Sequence, residues 1–469
     1  NRPAGTAGRV GRCDRHEWPG HDKSCLCTGA ADSDGAPMPI STLPYRPLTT
    51  VADASPAGRP LPEGALDGDF EQLVVASDPE SGLLALICVD STLLGPADGG
   101  VRMLPYPTFG AAVADVTRLA RSMTLKYAAA DEARGGGKAV IIGNPRTDRT
   151  EALLRAFGRS VDALGGRYWA GLDSGLTLDD MTALHRETPY VSTLPGASGG
   201  VGDIAPATAS GVLHAMRACA ERVWGTPSLA GLRVSLQGVG ACGSNALAEL
   251  VAEGARVTIT DVDTHLARRA AQRHDVAVVA PEDIWSVPAD VAAPFALGGA
   301  VDLAAVEALH AGGVRVLAGS ANNVLAASGP GDDAVERALV DAGICWAVAF
   351  IANAGGCIAD ADRFRPGGHD PACVTERLAA IGPRTHAVLD ATERDGALPS
   401  EAATAMAHAR LAPARSHPGP GTAPGGAAVR AAPGAHRARP EFRPGPFHEP
   451  RGAARVPRGP SQPDGNARG

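Results

Sequence analysis

The chain has 469 residues, with 43 Lys and Arg against 51 Asp and Glu, a formal net charge of −8. The acids run through the middle of the chain, which excludes the basic footprint of a nucleic-acid-binding domain there. No apolar run reaches the roughly 18 residues of a membrane-spanning helix, so no membrane partner is expected. Only three of the cations are lysine, Lys23, Lys126 and Lys138, and two of these lie close together around Arg134-Gly135-Gly136-Gly137-Lys138. Arginine is used wherever charge suffices. An amine at 126 and 138 points to chemistry, because an ammonium can shed its proton and a guanidinium cannot.

Residues 1–60 are rich in Gly, Pro, Ala, Arg and Ser and lack apolar periodicity, which predicts a disordered leader. Its Cys13, His16, His21, Cys25 and Cys27 match no standard zinc spacing, so no metal is expected. The chain starts at Asn1 and its first methionine is Met38, so the leader reads as a fragment or an over-extended reading frame. A signal-peptide pattern is missing at this start, and Cys88, Cys219, Cys242, Cys345, Cys357 and Cys373 read as small core residues of a reducing compartment. A cytoplasmic protein is therefore expected.

Order is predicted from about Phe70. Gln72–Ala76 and Leu83–Val89 read as strands joined by the turn-rich Ser77–Gly82, a hairpin. Apolar residues at helical spacing from Phe109 to Ala129 predict a helix with Lys126 near its end. Ala139–Ile142 is a short apolar strand, with Lys138 at its mouth and glycines before it that permit close backbone approach. Thr150–Leu164 and Ala207–Val223 predict further helices. Between them Tyr168–Gly175 reads as a strand ending in a polar turn that carries Asp173.

From Leu232 strands and helices alternate, the pattern of a parallel sheet with crossovers. The strand Val234–Gln237 runs into Gly238-Val239-Gly240-Ala241-Cys242-Gly243, which opens the helix Ser244–Glu253. The next strand, Arg256–Asp261, ends on an acid about 20 residues past the first glycine. Together these form a dinucleotide fingerprint: Gly238, Gly240 and Gly243 admit a pyrophosphate to the helix N-terminus, and Asp261 accepts from ribose hydroxyls. Asp261 would repel a 2′-phosphate, and Val262-Asp263 offers no cation beside it, so NAD is expected over NADP. The tail, residues 412–469, is Arg-, Pro- and Gly-rich and predicted to be disordered.

Beside a nicotinamide, Lys126 can hold a substrate carboxylate and Lys138, crowded by Lys126, can act as a base on water. Asp173 can shuttle a proton to or from an amine, or can simply cap a turn. An amine carbon that loses hydride leaves an iminium, and iminium plus activated water gives ketone and ammonia. The set suggests oxidative deamination of an α-amino acid.

The chain resembles the glutamate/leucine/phenylalanine/valine dehydrogenase family, specifically its leucine, valine and phenylalanine branch. The resemblance covers about residues 68–411 in order. It is carried by Leu94–Met103, Ser122–Lys126, Gly135–Gly143, the Gly238–Gly243 loop, Gly319–Asn323 and Asn353–Gly356. It implies that Lys126 holds the substrate carboxylate with the Gly99-Gly100 backbone, that Lys138 is the catalytic base and that Asp173 is the proton shuttle. Thr208 and Asn323 are implied contacts to nicotinamide, its ribose or substrate. The implied architecture is α/β with two domains closing over a cleft: a substrate domain over 61–199 completed by helices at 370–411, and a Rossmann-type NAD-binding domain over 200–369. A homo-oligomer is implied as well.

Three departures bear on the substrate. Asp98 stands where relatives carry a small or apolar residue facing the side-chain pocket, so it either welcomes a polar or cationic side chain or turns outward. Gly171 resembles the smaller choice of phenylalanine-type members and should enlarge the pocket; Trp169 points the same way. Ala347–Asn353 replaces a Pro-Asp-aromatic pattern, and loss of that Asp at Ala349 is expected to loosen the turn. The expected activity is reversible NAD-dependent deamination of a hydrophobic L-amino acid, phenylalanine-like or leucine and valine, to the 2-oxo acid, ammonium and NADH. The alternative is a catalytically weakened NAD-binding relative with an interaction role.

Overall fold

A computed structural model describes residues 70–416 apart from 297 and 327–332. The leader, its Cys/His group, Lys23 and the tail beyond 416 lie outside the described residues. Two sheets organise the rest.

The first half runs β1 (Gln72–Asp78), β2 (Leu83–Ser91), β3 (Ala97–Leu104), α1 (Phe109–Ala129), β4 (Gly135–Ile142), α2 (Glu151–Asp162), β5 (Tyr168–Leu172) and α3 (Leu178–His185). Its five-stranded sheet has the order β1-β2-β4-β3-β5. The β1–β2 hairpin and the β2–β4 pair are antiparallel, while β3 is parallel to both β4 and β5. One face packs Leu86, Cys88 and Val140 against Val113, Val116 and Ala120 of α1. The other packs Ile87, Val101 and Ile141 against Leu154, Phe157, Met181 and Leu184 of α2 and α3. Each fully buried Leu, Ile or Phe side chain contributes about 1.5–3 kcal/mol, so the alternating faces hold this three-layer stack together. The Thr108 hydroxyl accepts from Ala111 N–H to start α1, a cap worth about 1 kcal/mol.

Two features of this half differ from expectation. Lys138 is the fourth residue of β4 and lies inside the strand, because Gly135–Gly137 are strand residues too. Their lack of side chains serves close internal packing. A Cβ on Gly136 would sit 2.1 Å from Thr124 N in α1, and one on Gly137 would sit 2.8 Å from the Tyr168 ring. The second is β3, whose Ala-Asp-Gly-Gly start carries little strand propensity. It is held by its two neighbours, with Gly100 opposite Gly171.

The second half contains α4 (Ala205–Trp224), β6 (Arg233–Gln237), α5 (Ala241–Ala252), β7 (Arg256–Thr260), α6 (Thr264–His274), β8 (Ala277–Val278), β9 (Val291–Pro294), α7 (Leu303–Ala311), β10 (Val316–Leu317), α8 (Ala334–Asp341) and β11 (Cys345–Trp346). Its six strands are all parallel in the order β11-β10-β9-β6-β7-β8. The chain direction across the sheet reverses between β6 and β9, and the crevice beyond their C-terminal ends is where such sheets bind ligands. Helix α5 begins at Ala241, inside the glycine loop and three residues earlier than periodicity indicated.

The chain returns through α9 (Ala349–Ala352), α10 (Gly355–Asp362), α11 (Pro371–Ala379), α12 (Ile381–Asp395) and α13 (Pro399–Ser416). These helices clasp the end of α1. Arg384 donates to Ala130 O at 3.1 Å, Arg410 pairs with Asp131 at 2.6 Å, and Arg377 pairs with Glu132. Among the described residues no helix is long and apolar enough to cross a membrane.

Candidate active site

A cleft of about 1150 Å³ is lined by residues of both halves, and it collects the lysine pair. Lys126 comes from the last turn of α1 and Lys138 from the middle of β4; they are 5% and 3% exposed. Lys138 Nζ lies 2.5 Å from the Asp173 carboxylate, which follows β5. Since β3 runs between β4 and β5, the contact crosses over β3 at Gly100. A Cβ there would stand 2.6 Å from Asp173 Cβ and 3.0 Å from Lys138 Nζ. Glycine at 100 therefore leaves the space in which the pair forms. Gly99 is glycine for another reason: its Cβ would strike Gly137 O at 1.8 Å, and its own carbonyl accepts from the Tyr168 hydroxyl at 2.7 Å.

Asp173 is a caged carboxylate. Arg102 Nε lies 3.2 Å away, and Ser174 N–H donates at 2.7 Å. Burial acts to raise its pKa, but the Lys138 and Arg102 charges outweigh burial and hold the carboxyl well below the usual carboxylate range. Arg102 is itself held by Asp115 at 3.2 Å, which also accepts from the Tyr106 hydroxyl at 2.6 Å. Sequence reasoning passed over Arg102, although it lies in the Leu94–Met103 motif.

Lys126 Nζ donates to Asn322 Oδ1 at 3.2 Å, and Asn353 Nδ2 donates to the same oxygen at 2.9 Å and to Ser320 O at 3.0 Å. This chain joins α1 to the loop after β10 and to the end of α9. Burial lowers the proton affinity of Lys126, with the Lys138 charge adding to that effect. A bound carboxylate would supply the counter-charge that Lys126 lacks. Neither Asn322 nor Asn353 stood out in the sequence as a partner of lysine; both sat in motifs without a periodic or chemical signal of their own.

The glycine loop follows β6. Gly238 has φ +92, a conformation that L side chains rarely adopt, and its Cβ would meet Ala296 N at 2.8 Å. Gly243 lets α5 close on the loop, where a Cβ would lie 1.9 Å from Gly238 O. A Cβ on Gly240, by contrast, would meet nothing within 4 Å, so the helix N-terminus is open at that point. Asp261 accepts from Val239 N–H at 2.8 Å and from Asp263 N–H at 2.9 Å, which fixes the loop and keeps the carboxylate beside it. Val262 next to it is 89% exposed. An open N-terminus, a positive-φ glycine and a fixed acid fit a dinucleotide with unmodified ribose hydroxyls. Thr208 and Asn323 also line the cleft; the Thr208 hydroxyl donates to Ile204 O at 3.1 Å, and Asn323 has φ 52.

The departures resolve unevenly. Asp98 does not turn outward: it is 1% exposed, lines the cleft, and accepts from Ser192 Oγ at 2.9 Å because β3 is covered on both edges. Gly171 also lines the cleft, where a Cβ would meet Ser192 Oγ at 3.1 Å. Trp169 instead packs edge-on against Tyr190 and Phe364, at 5.5 and 4.7 Å between ring centroids, away from the cleft-lining set. Ala349 is buried at the start of α9, whose N-cap Val348 makes no side-chain capping bond. Two of the cysteines expected in the core, Cys242 and Cys357, line the cleft, and burial raises both thiols.

Residues 71–190 match the Glu/Leu/Phe/Val dehydrogenase dimerisation domain, and residues 263–415 match Glutamate/Leucine/Phenylalanine/Valine dehydrogenase. The leucine dehydrogenase of Bacillus subtilis is 40% identical over 343 residues, which span 73% of this chain and 92% of that one. The valine dehydrogenase of Streptomyces virginiae is 42% identical over 351 residues, 74% of this chain and 95% of its own. Among solved structures, L-tryptophan dehydrogenase from Nostoc punctiforme superimposes with a TM-score of 0.61 at 31% identity, covering 75% of this chain and 99% of that one.

Proposed function

Because the chain belongs to the glutamate/leucine/phenylalanine/valine dehydrogenase family, we propose that it catalyses the reversible NAD-dependent deamination of a hydrophobic L-amino acid, yielding the 2-oxo acid, ammonium and NADH. The observation that carries this reading is the convergence of Lys126, Lys138 and Asp173 in one cleft with the glycine loop.

Lys126 binds the substrate carboxylate and regains a counter-charge by doing so. Asp173, kept ionised by Lys138 and Arg102, takes a proton from the α-ammonium. Gly238, Gly240, Gly243 and Asp261 would hold the dinucleotide, which when bound would supply acceptance of the Cα hydrogen with its bonding electrons. Once Asp173 has taken that proton, Lys138 loses its ion-pair partner and releases its own proton to solvent; the free amine then removes a proton from the water that adds to the imino carbon, and Asp173 returns a proton to the departing nitrogen. The net change is amino acid, water and NAD to oxo acid, ammonium and NADH, with one proton released. Thr208 and Asn323 orient the nicotinamide end, and the cleft walls keep bulk water from the reacting carbon.

The first sheet with α11–α13 acts as the substrate-binding unit and the parallel sheet as the nucleotide-binding unit. Gly171 leaves room for a phenylalanine-like side chain as well as for leucine and valine. The likeness of residues 71–190 to a dimerisation domain supports a homo-oligomer, and a cytoplasmic location fits such an enzyme. The intact lysine pair and Asp173 speak against a weakened, purely NAD-binding relative. Following NADH absorbance with leucine, valine, phenylalanine and tryptophan at alkaline pH tests the proposal. NADH formation with at least one of them supports it, and NAD binding without turnover of any would reject it.

A further inference from the structure

The mechanism leaves two cleft-lining carboxylates unused. Asp98 on β3 and Asp360 on α10 are 1% and 4% exposed and both face the cavity that holds Lys126. Each is only half satisfied. Asp98 Oδ1 accepts from Ser192, while Oδ2 makes no hydrogen bond. Asp360 Oδ2 accepts from the Thr193 hydroxyl, and Oδ1 makes none. The Tyr127 hydroxyl stands near Asp98 without completing a bond to Oδ2.

Two arginines neutralise the pair from behind the cavity wall. Arg134 Nε is 4.0 Å from Asp98 Oδ2, and its guanidinium lies 3.7 Å from the Phe364 ring centroid. Arg363, over the same ring at 4.4 Å, gives its terminal nitrogens to the carbonyls of Val191 and Gly199, and its Nε makes no hydrogen bond to either carboxylate. Charge is thus balanced, but neither Asp98 Oδ2 nor Asp360 Oδ1 receives a hydrogen bond. Burial, and then the Asp98 charge, push the Asp360 carboxyl up to about 7, as expected of acids crowded together in a place poor in hydrogen bonds. Cys357 lies within electrostatic reach of Lys126 on one side and of Asp98 and Asp360 on the other. The acid pair therefore lines the same cleft as the amine proposed to anchor the substrate carboxylate.

A wholly apolar substrate side chain would seal two carboxylate oxygens against carbon. One ending in N–H or O–H would satisfy them, and sites built around a substrate donor discriminate strongly against analogues that lack it. We infer that Asp98 and Asp360 form a recognition point for a substrate side chain ending in a hydrogen-bond donor, so that such amino acids are used in preference to their methyl-ended isosteres. The inference rests on the deamination reading above and shifts its preferred substrate from a wholly apolar side chain to one with a donor at its end.

Norleucine, δ-hydroxynorvaline and ornithine have side chains of equal length that end in methyl, hydroxyl and ammonium. With the full chain and NAD, kcat/KM for the hydroxyl or the ammonium compound should exceed that for norleucine by tenfold or more. Asp98→Leu combined with Asp360→Val should reverse the order. Equal or better use of norleucine by the unaltered protein overturns the inference, as does turnover of leucine or phenylalanine with none of the three. Absence of NADH with every amino acid tried would instead sink the deamination reading, and the inference with it. The comparison within the unaltered protein needs no variant to fold.

Discussion

Lys138 Nζ and the Asp173 carboxylate meet at 2.5 Å across the strand that separates their own, and position 100 on that strand is glycine. The pair depends on an empty volume: the nearest atoms to a Cβ at 100 would be Asp173 Cβ at 2.6 Å and Lys138 Nζ at 3.0 Å. Gly100→Ala should therefore part the two groups while leaving the β3 ladder intact. Displacement of reacting groups by about an ångström costs on the order of 100-fold, and kcat/KM should fall by about that much. Steady-state kinetics checks it; a variant with unchanged kcat/KM would show that the contact is dispensable.

Asp173→Asn keeps the shape and removes the charge proposed to receive the ammonium proton. General acid–base groups contribute about 10²- to 10⁴-fold, so kcat should drop within that range while KM moves little. A rise in KM at constant kcat would assign Asp173 to binding.

Lys126 combines two roles that conflict. Its folded-state pKa lies below the unfolded value of 10.5, so between the two the unfolded chain binds more protons and stability rises with pH. Lys126→Met removes a buried cation and should stabilise the fold at neutral pH, with the gain fading as pH approaches the unfolded value. The same change should raise KM for the amino acid at least tenfold. Denaturant unfolding at several pH values, alongside kinetics, tests both halves.

Asp360 has the opposite linkage. Its folded pKa, about 7, lies above the unfolded 3.8, so the folded state holds the extra proton and stability falls as pH rises through that window. Asp360→Asn should be near neutral in stability below the window and stabilising by about 2 kcal/mol or more above it. A gap between the two proteins that does not change with pH would contradict the burial of this carboxyl.

Asp261 is the residue proposed to select the nucleotide. It holds the Val239 N–H at 2.8 Å, and the residue after it, Val262, is exposed and carries no charge. Asp261→Ser should weaken NAD and raise kcat/KM with NADP by roughly tenfold, a repulsion of about 1.4 kcal/mol relieved. Unchanged discrimination would place specificity elsewhere.

The elements with strong periodicity were legible in the sequence: α1 runs over Phe109–Ala129 as predicted, and the β6–glycine loop–α5–β7 unit carries its own fingerprint. The glycine-rich strands were not. Residues 135–137 and the start of β3 lack strand propensity, and they are strands because Thr124, Tyr168 and neighbouring backbone press against them. Lysine scarcity led to Lys126 and Lys138, and both line the cleft, because a residue type used so sparingly stands out in a linear sequence. Asn322, Asn353, Arg102 and Asp360 are common residue types that matter only through what the fold places beside them, and a linear pattern does not encode that. Asp98 was visible as an oddity, but its direction depended on Ser192 and Arg134, about 94 and 36 positions away in the chain.

The central claim is that this cleft couples amine loss to dinucleotide reduction through Lys138. Ammonium and NADH measured in the same reaction, with the best amino acid of the panel, test it most directly. One ammonium per NADH is predicted, with Lys138→Ala reducing both by about 100-fold or more. NADH formed without ammonium, or both formed undiminished by the variant, would contradict it.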